Sequence, residues 1–218
     1  MANSLPNMLQ LKNIEKSFGS HHVFSIPDLE LAPGIYWLKG ANGSGKSTLL
    51  KLLAGLLPFK GDVILSQNTS ITGQPVNYRR AVNYAPAEPI YPSFLSGEEL
   101  LNYVDAVKQG DARQHEEVKE QLGIDHYLQN PTGSYSSGMV KKLSLLLAFT
   151  GRPLWILLDE PFTTLDQASQ QALTGLIKQR HAQGISFLIT SHHDIEAGEL
   201  IFSRTFLLKD KTLHAIDG

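Results

Sequence analysis

The sequence contains no cysteine. That excludes disulfides, thiolate metal sites and cysteine nucleophiles, and it suits a reducing compartment. An excess of one charge is also missing: 19 basic residues against 21 acidic ones leave a formal net charge of −2. Neither nucleic acid nor an anionic membrane surface is therefore called for as a partner. Long apolar runs are absent as well. The greasiest stretch, Leu143–Phe149, falls far short of the roughly 18 residues that a spanning helix requires. Residues Met1 to Asn7 have neither a basic start nor an apolar stretch, so no signal peptide is expected, and any membrane role must come through a partner. The residues present suit one large globular domain over residues 1–218: 42% of the chain is hydrophobic and 18% charged, enough for a buried core.

Short apolar runs at Ile35–Leu38, Val63–Leu65, Leu154–Leu158, Ser186–Thr190 and Phe206–Leu208 read as buried strands. Helical stripes lie between several of them. One runs through Leu49, Leu52, Leu53 and Leu56 with Gly55 as a stop; another through Met139, Val140, Leu143, Leu146 and Leu147; a third through Leu173, Leu176 and Ile177, ending at Gly184. Strands apolar on both faces with helices between them predict an α/β fold with a mainly parallel sheet. The first 34 residues and the last 14 carry short alternating strands with turn residues (Gly19-Ser20, Asp210-Lys211), which predicts antiparallel β additions. Between about Pro92 and Pro131 no strand is expected. Two amphipathic helical patterns stand there instead, the first opened by the capping-box pair Ser96 and Glu99. A helical subdomain at roughly 88–150 is expected.

The chemistry begins at Gly40-Ala41-Asn42-Gly43-Ser44-Gly45-Lys46-Ser47, which fits G-x-x-x-x-G-K-S/T in full between an apolar strand and a helical stripe. Glycines let a backbone curl around an anion and aim N–H groups at it, and a helix N-terminus adds a favourable dipole. Lys46 is expected on the β- and γ-phosphates of a nucleoside triphosphate, the Ser47 hydroxyl on Mg²⁺ and Thr48 on the α-phosphate. A second element, Leu154-Trp155-Ile156-Leu157-Leu158-Asp159-Glu160-Pro161, ends an apolar strand in two carboxylates. The carboxyl edge of a parallel sheet is where ligands bind in such folds. Asp159 is expected to hold Mg²⁺, and Glu160 to act as general base on the attacking water.

From these motifs outward the chain resembles an ABC-type ATPase domain, a P-loop NTPase core, over nearly its whole length. The resemblance implies binding and hydrolysis of ATP with Mg²⁺. It places Phe18, in Lys16-Ser17-Phe18-Gly19, where an aromatic ring stacks on adenine; core packing is the alternative for that residue. It sets Tyr135-Ser136-Ser137-Gly138-Met139 at the family's LSGGQ signature, where Ser136, Ser137 and Gly138 would face the γ-phosphate on a second subunit. Two departures stand out: Ser137 replaces a glycine and Met139 a glutamine. Thr164-Leu165-Asp166 resembles the loop that couples two sites across a dimer, with an N-cap role as the alternative for Asp166. His192, at the end of Ile189-Thr190-Ser191-His192, would contact the γ-phosphate. A third departure is Ala87, which stands where the family has a glutamine, with Glu88 as the nearest polar neighbour.

The resemblance also implies an ATP-dependent homodimer, or a heterodimer with a related subunit, driving a separate membrane-spanning subunit from the cytoplasmic face. The run Tyr91-Pro92 followed by Leu95-Ser96-Gly97-Glu98 is similar to ATPase subunits of exporter-type bacterial systems. Ile90, Tyr91, Phe94 and Leu95 are candidates for a groove that takes a short helix of that partner, or for packing of the subdomain. A non-transport ABC-type ATPase acting on DNA or the ribosome, or a regulatory ATP-binding subunit with weak turnover, is the competing reading. Relatives acting on nucleic acid generally carry a coiled-coil insertion, a second nucleotide-binding domain or a basic tract, and this chain has none of these.

Overall fold

The computed structural model describes residues 7–65, 69–110, 112–191 and 200–216, with the backbone alone at 112–114. The apolar runs assemble a six-stranded sheet. Strands β4 (Ile35–Lys39), β9 (Ser186–Thr190) and β8 (Trp155–Leu158) lie at its centre, every residue buried except Lys39. β10 (Arg204–Lys209) and β7 (Val82–Ala85) flank them, and the five run parallel in the order β10-β4-β9-β8-β7. β11 (Thr212–Ile216) returns antiparallel to β10 through a turn in which Asp210 and Lys211 have φ of 50° and 63°. Two consecutive left-handed residues are the geometry of the tight hairpin whose twist matches that of its strands.

A second sheet is antiparallel. It is built on β1 (Leu9–Phe18), which pairs with β2 (His21–Ile26), β3 (Leu29–Leu31) and β5 (Lys60–Leu65), while β6 (Thr69–Ser70) pairs with β5. The run Val63–Leu65 thus belongs to this sheet, and the parallel sheet recruits β7, a strand that apolar patterning does not announce. Asn83 and Tyr84 interrupt the pattern of β7. Asn83 is buried because its amide donates to the Ala148 and Thr150 carbonyls at 2.7 and 2.8 Å.

The α-helices among the described residues are α1 (Lys46–Leu53), α2 (Pro75–Ala81), α3 (Gly97–Lys108), α4 (Ala112–Leu122), α5 (Ser137–Ala148) and α6 (Gln167–Ala182). The parallel sheet separates two cores, and the two-residue period of its strands assigns side chains to them. Trp155 and Leu157 of β8 join the core formed with α1 and the antiparallel sheet. Ile156 and Leu158 join the core formed with α3 to α6. Where α1 ends, the buried Tyr78 hydroxyl of α2 donates to the Leu53 carbonyl at 2.7 Å. At the start of α3 the capping box closes as its sequence pattern predicts: Ser96 accepts from the Glu99 N–H at 3.1 Å, and Glu99 accepts from the Ser96 N–H at 2.8 Å.

Two substitutions separate an exposed cap from a buried tie. Ser96→Ala is expected to cost about 1 kcal/mol and lower the thermal midpoint by about 2–4 °C. Asn83→Ala leaves two buried carbonyls without their donor and is expected to cost about 2–3 kcal/mol. Denaturant and thermal unfolding of the two variants check both figures.

Candidate active site

β4 ends at Lys39, and the chain turns through Gly40–Gly45 into α1. Gly43 and Gly45 have φ of 76° and 105°. A Cβ on Gly45 would also meet Val23 and Phe24 at 3.0 and 3.1 Å, so glycine alone fits there without displacement. Lys46, almost fully buried, donates to the carbonyls of Gly40 and Ala41 at 2.7 and 3.1 Å. Burial lowers its pKa, against the upward pull of Glu160 and then Asp159. The phosphate loop and the acid pair therefore share one local field.

Asp159 and Glu160 follow β8 and are both buried. Thr190, at the end of the neighbouring β9, bridges them: its hydroxyl donates to Asp159 Oδ1 at 2.8 Å and accepts from the Glu160 N–H at 2.9 Å. From the other side Tyr84 of β7 donates to Asp159 Oδ2 at 3.2 Å. Burial and the facing Asp159 hold the Tyr84 hydroxyl in its protonated form. Glu160 has φ of 46°, a left-handed conformation that costs a side-chain-bearing residue on the order of 1–3 kcal/mol. The bonds around Asp159 and Thr190 hold that turn in place.

Lys141 of α5 completes the surroundings of the acid pair. Its ammonium is buried and donates to the carbonyls of Pro86, Ala87 and Asp159 at 3.1, 3.0 and 3.2 Å. Burial pushes its pKa down to about 8, opposed by Asp159 and then Glu160. A cleft of about 420 Å³ opens between these elements. Phe18, Asn42, Gly43, Ser44, Gly45, Lys46, Ser47, Thr48, Ala87 and Glu160 line it.

Most of the sequence-predicted residues line this cleft, but Gly40 and the buried Asp159 are not among those that do. Phe18 sits at the rim, 51% exposed, with the Lys16 ammonium 4.2 Å from its ring centroid; Lys16 in turn donates to the Pro58 carbonyl at 2.7 Å. Gly40 contributes its carbonyl to Lys46. Glu88 is exposed, whereas Ala87 lines the cleft. Ser136, Ser137 and Gly138 are not among the residues lining it. Ser136 caps α5 by accepting from the Met139 N–H at 3.3 Å. A Cβ on Gly138 would lie 3.1 Å from the Thr164 carbonyl, so this helix start packs closely on the Thr164-Leu165-Asp166 loop. Asp166 caps α6, accepting from the Ser169 N–H at 2.8 Å, and its carboxyl is held below the usual range chiefly by that bond. His192 lies outside the described residues.

Three residues of this constellation escape sequence reasoning: Tyr84, Thr190 and Lys141. A signal exists for two of them. Thr190 is a hydroxyl at the end of an otherwise apolar strand, and Lys141 shares its helical face with the buried Ser144, Leu145 and Ala148.

The chain and its fold also match known proteins. The family profile described as "ABC transporter" matches residues 27–163. The chain is 34% identical over 165 residues to a cytochrome c biogenesis ATP-binding export protein, CcmA, of Legionella pneumophila (strain Lens), covering 75% of this chain and 82% of the relative. It is 26% identical over 214 residues to the linearmycin resistance ATP-binding protein LnrL of Bacillus subtilis (strain 168), covering 96% of this chain and 68% of that protein. A solved structure of an ATP-binding subunit of an ABC transporter superposes with a TM-score of 0.84 at 23% identity, over 96% of this chain and 90% of its own.

The bridge at Thr190 yields a stability test. Thr190→Val removes both the bond to a buried carboxylate and the bond from the Glu160 N–H, so a loss of about 3 kcal/mol is expected in denaturant unfolding. Thr190→Ser keeps the hydroxyl and is expected to stay within about 1 kcal/mol of the parent.

Proposed function

Because the chain belongs to the ABC transporter family, as an ATP-binding subunit that powers transport through a separate membrane-spanning partner, we propose that it hydrolyses ATP with Mg²⁺ using the residues gathered in this cleft. One observation carries the assignment: the phosphate loop with Lys46 and Ser47 shares a single cleft with Glu160 and with the exposed ring of Phe18. A triphosphate-sized polyanion with an aromatic base finds there a cation, a helix N-terminus and a stacking platform.

In this reading Gly40, Asn42, Gly43, Ser44, Gly45 and Thr48 cradle the phosphates. Lys46 exchanges its bonds to Gly40 and Ala41 for bonds to phosphate oxygens. Phe18 stacks on adenine through one face while Lys16 backs the other, an arrangement supported by the 4.2 Å approach of Lys16. Glu160 accepts a proton from water as the water oxygen bonds to the γ-phosphorus; the bond to the bridging oxygen breaks, giving ADP and phosphate. The left-handed turn and the Thr190 bond hold Glu160 for that task. His192 is assigned to the γ-phosphate.

Mg²⁺ fits the donors present. It prefers hard oxygen ligands, typically one or two carboxylates with substrate phosphates and water. The Ser47 hydroxyl and the Asp159 carboxylate are oxygen donors of that kind, and Thr190 and Tyr84 hold Asp159 in one orientation. Once bound, the ion supplies charge neutralisation at the β- and γ-phosphates.

Ser136, Ser137 and Gly138 serve a different nucleotide in this scheme. Standing at the N-terminus of α5, away from the chain's own cleft, they face the ATP of a second subunit in a homodimer or heterodimer. The helical segment at about 88–150 acts as the lever to the membrane partner at the cytoplasmic face. A second cleft of about 290 Å³ beside Ile90 and Tyr91 supports a docking site for a short helix there, as do the exposed side chains of Ile90 (91%) and Phe94 (78%). No described helix is long and apolar enough to cross a membrane.

Two experiments test these roles. Glu160→Gln is expected to bind ATP but hydrolyse it at least about 100-fold more slowly, with dimer accumulating in sizing chromatography; unchanged turnover removes Glu160 as the base. Phe18→Ala is expected to raise KM for ATP about tenfold while kcat stays within about twofold, since stacking contributes uniform binding. A lowered kcat at unchanged KM contradicts the stacking role.

A further inference from the structure

At Ala87 the junction into the helical segment lacks a polar side chain. Alanine offers no side-chain donor or acceptor, so a side chain at this junction cannot tie the helical segment to the acid pair. The tie comes from the opposite direction. An ammonium has three N–H donors, and Lys141 has a carbonyl partner for each, two at the junction (Pro86, Ala87) and one at the end of the acid-bearing strand (Asp159). Nothing is left over. Lys141 is 1% exposed, so no water competes for those bonds.

The lysine is also rigidly connected at its other end. It lies about one helical turn after Ser136, Ser137 and Gly138, which open α5. The far end of the same helix is held by the Asn83 amide on the Ala148 and Thr150 carbonyls. The helix is therefore bonded at both ends to β7 and its exit. Burying a cation is costly, and an apolar residue of similar volume would satisfy packing alone. Retaining the charge adds three directed bonds between segments that already pack in one core.

We propose that Lys141 is a positioning residue for hydrolysis, joining the Ala87 junction and the Asp159 strand end to the helix that presents Ser136–Gly138. Nucleotide held at the chain's own acid pair thereby sets the aim of the segment offered to the partner's nucleotide. This rests on the two-subunit reading given above for Ser136–Gly138. The residue works through backbone carbonyls and touches no reacting atom.

The test compares Lys141→Met and Lys141→Arg with the parent chain, each alone and with Glu160→Gln. Lys141→Met keeps the stem and removes the donors. It is expected to bind a fluorescent ATP analogue within about threefold of the parent, while kcat falls at least about tenfold. In the Glu160→Gln background it is expected to abolish the ATP-dependent dimer. Lys141→Arg retains a buried donor cation and is expected to restore at least half of the lost dimer. A kcat within about twofold of the parent for Lys141→Met overturns the proposal. So does a parallel loss of nucleotide binding and thermal midpoint, which marks a structural role only. Glu160→Gln alone serves as the reference: if it forms no dimer with ATP, the two-subunit reading fails, and the split between kcat and nucleotide affinity in Lys141→Met still decides the role of Lys141.

Discussion

Two neighbouring carboxylates are buried at the end of β8, and much of the surrounding structure answers to that fact. A buried negative charge is tolerated only when hydroxyls, N–H groups and cations replace the water it has lost. Asp159 receives Thr190 from one adjoining strand and Tyr84 from the other. Lys46 approaches from the phosphate loop and Lys141 from α5, and both sense the acid pair electrostatically. The parallel order β7-β8-β9 makes this possible, because it brings three strand ends to the same edge.

The same constraint explains why the site is preorganised. Glu160 sits in a left-handed turn that a glutamate would not choose unaided. The Thr190 hydroxyl binds its N–H, and Asp159 orients that hydroxyl. A chain of bonds of this kind leaves each member one arrangement, which suits a group that must meet a water molecule in a defined direction.

Much of this was legible in the sequence. The phosphate loop is a contiguous motif with its strand and helix in place, and the capping box at Ser96 is equally local. The apolar runs name the central strands because strands buried on both faces must be apolar throughout. The hidden part depends on distant partners. β7 carries Asn83 and Tyr84, polar residues that make sense only once Ala148, Thr150 and Asp159 are beside them. Lys141 reads as a surface lysine until its helical face is seen to be the buried one. Periodicity reports which face is apolar, and it is silent on which polar side chain will find its partners far along the chain.

The division of the interior by the parallel sheet has an optical consequence. The chain has two tryptophans, and they fall on opposite sides of that sheet. Trp155 is fully buried in the core shared with α1, its indole N–H donating to the Asn7 carbonyl at 2.8 Å. Trp37 stacks on Phe202, which packs against the other core, and carries the Lys39 ammonium 3.7 Å from its ring centroid. One indole thus emits from a neutral interior and the other from beneath a positive charge. Ultraviolet fluorescence of the unlabelled chain carries a separate signal from each half of the molecule.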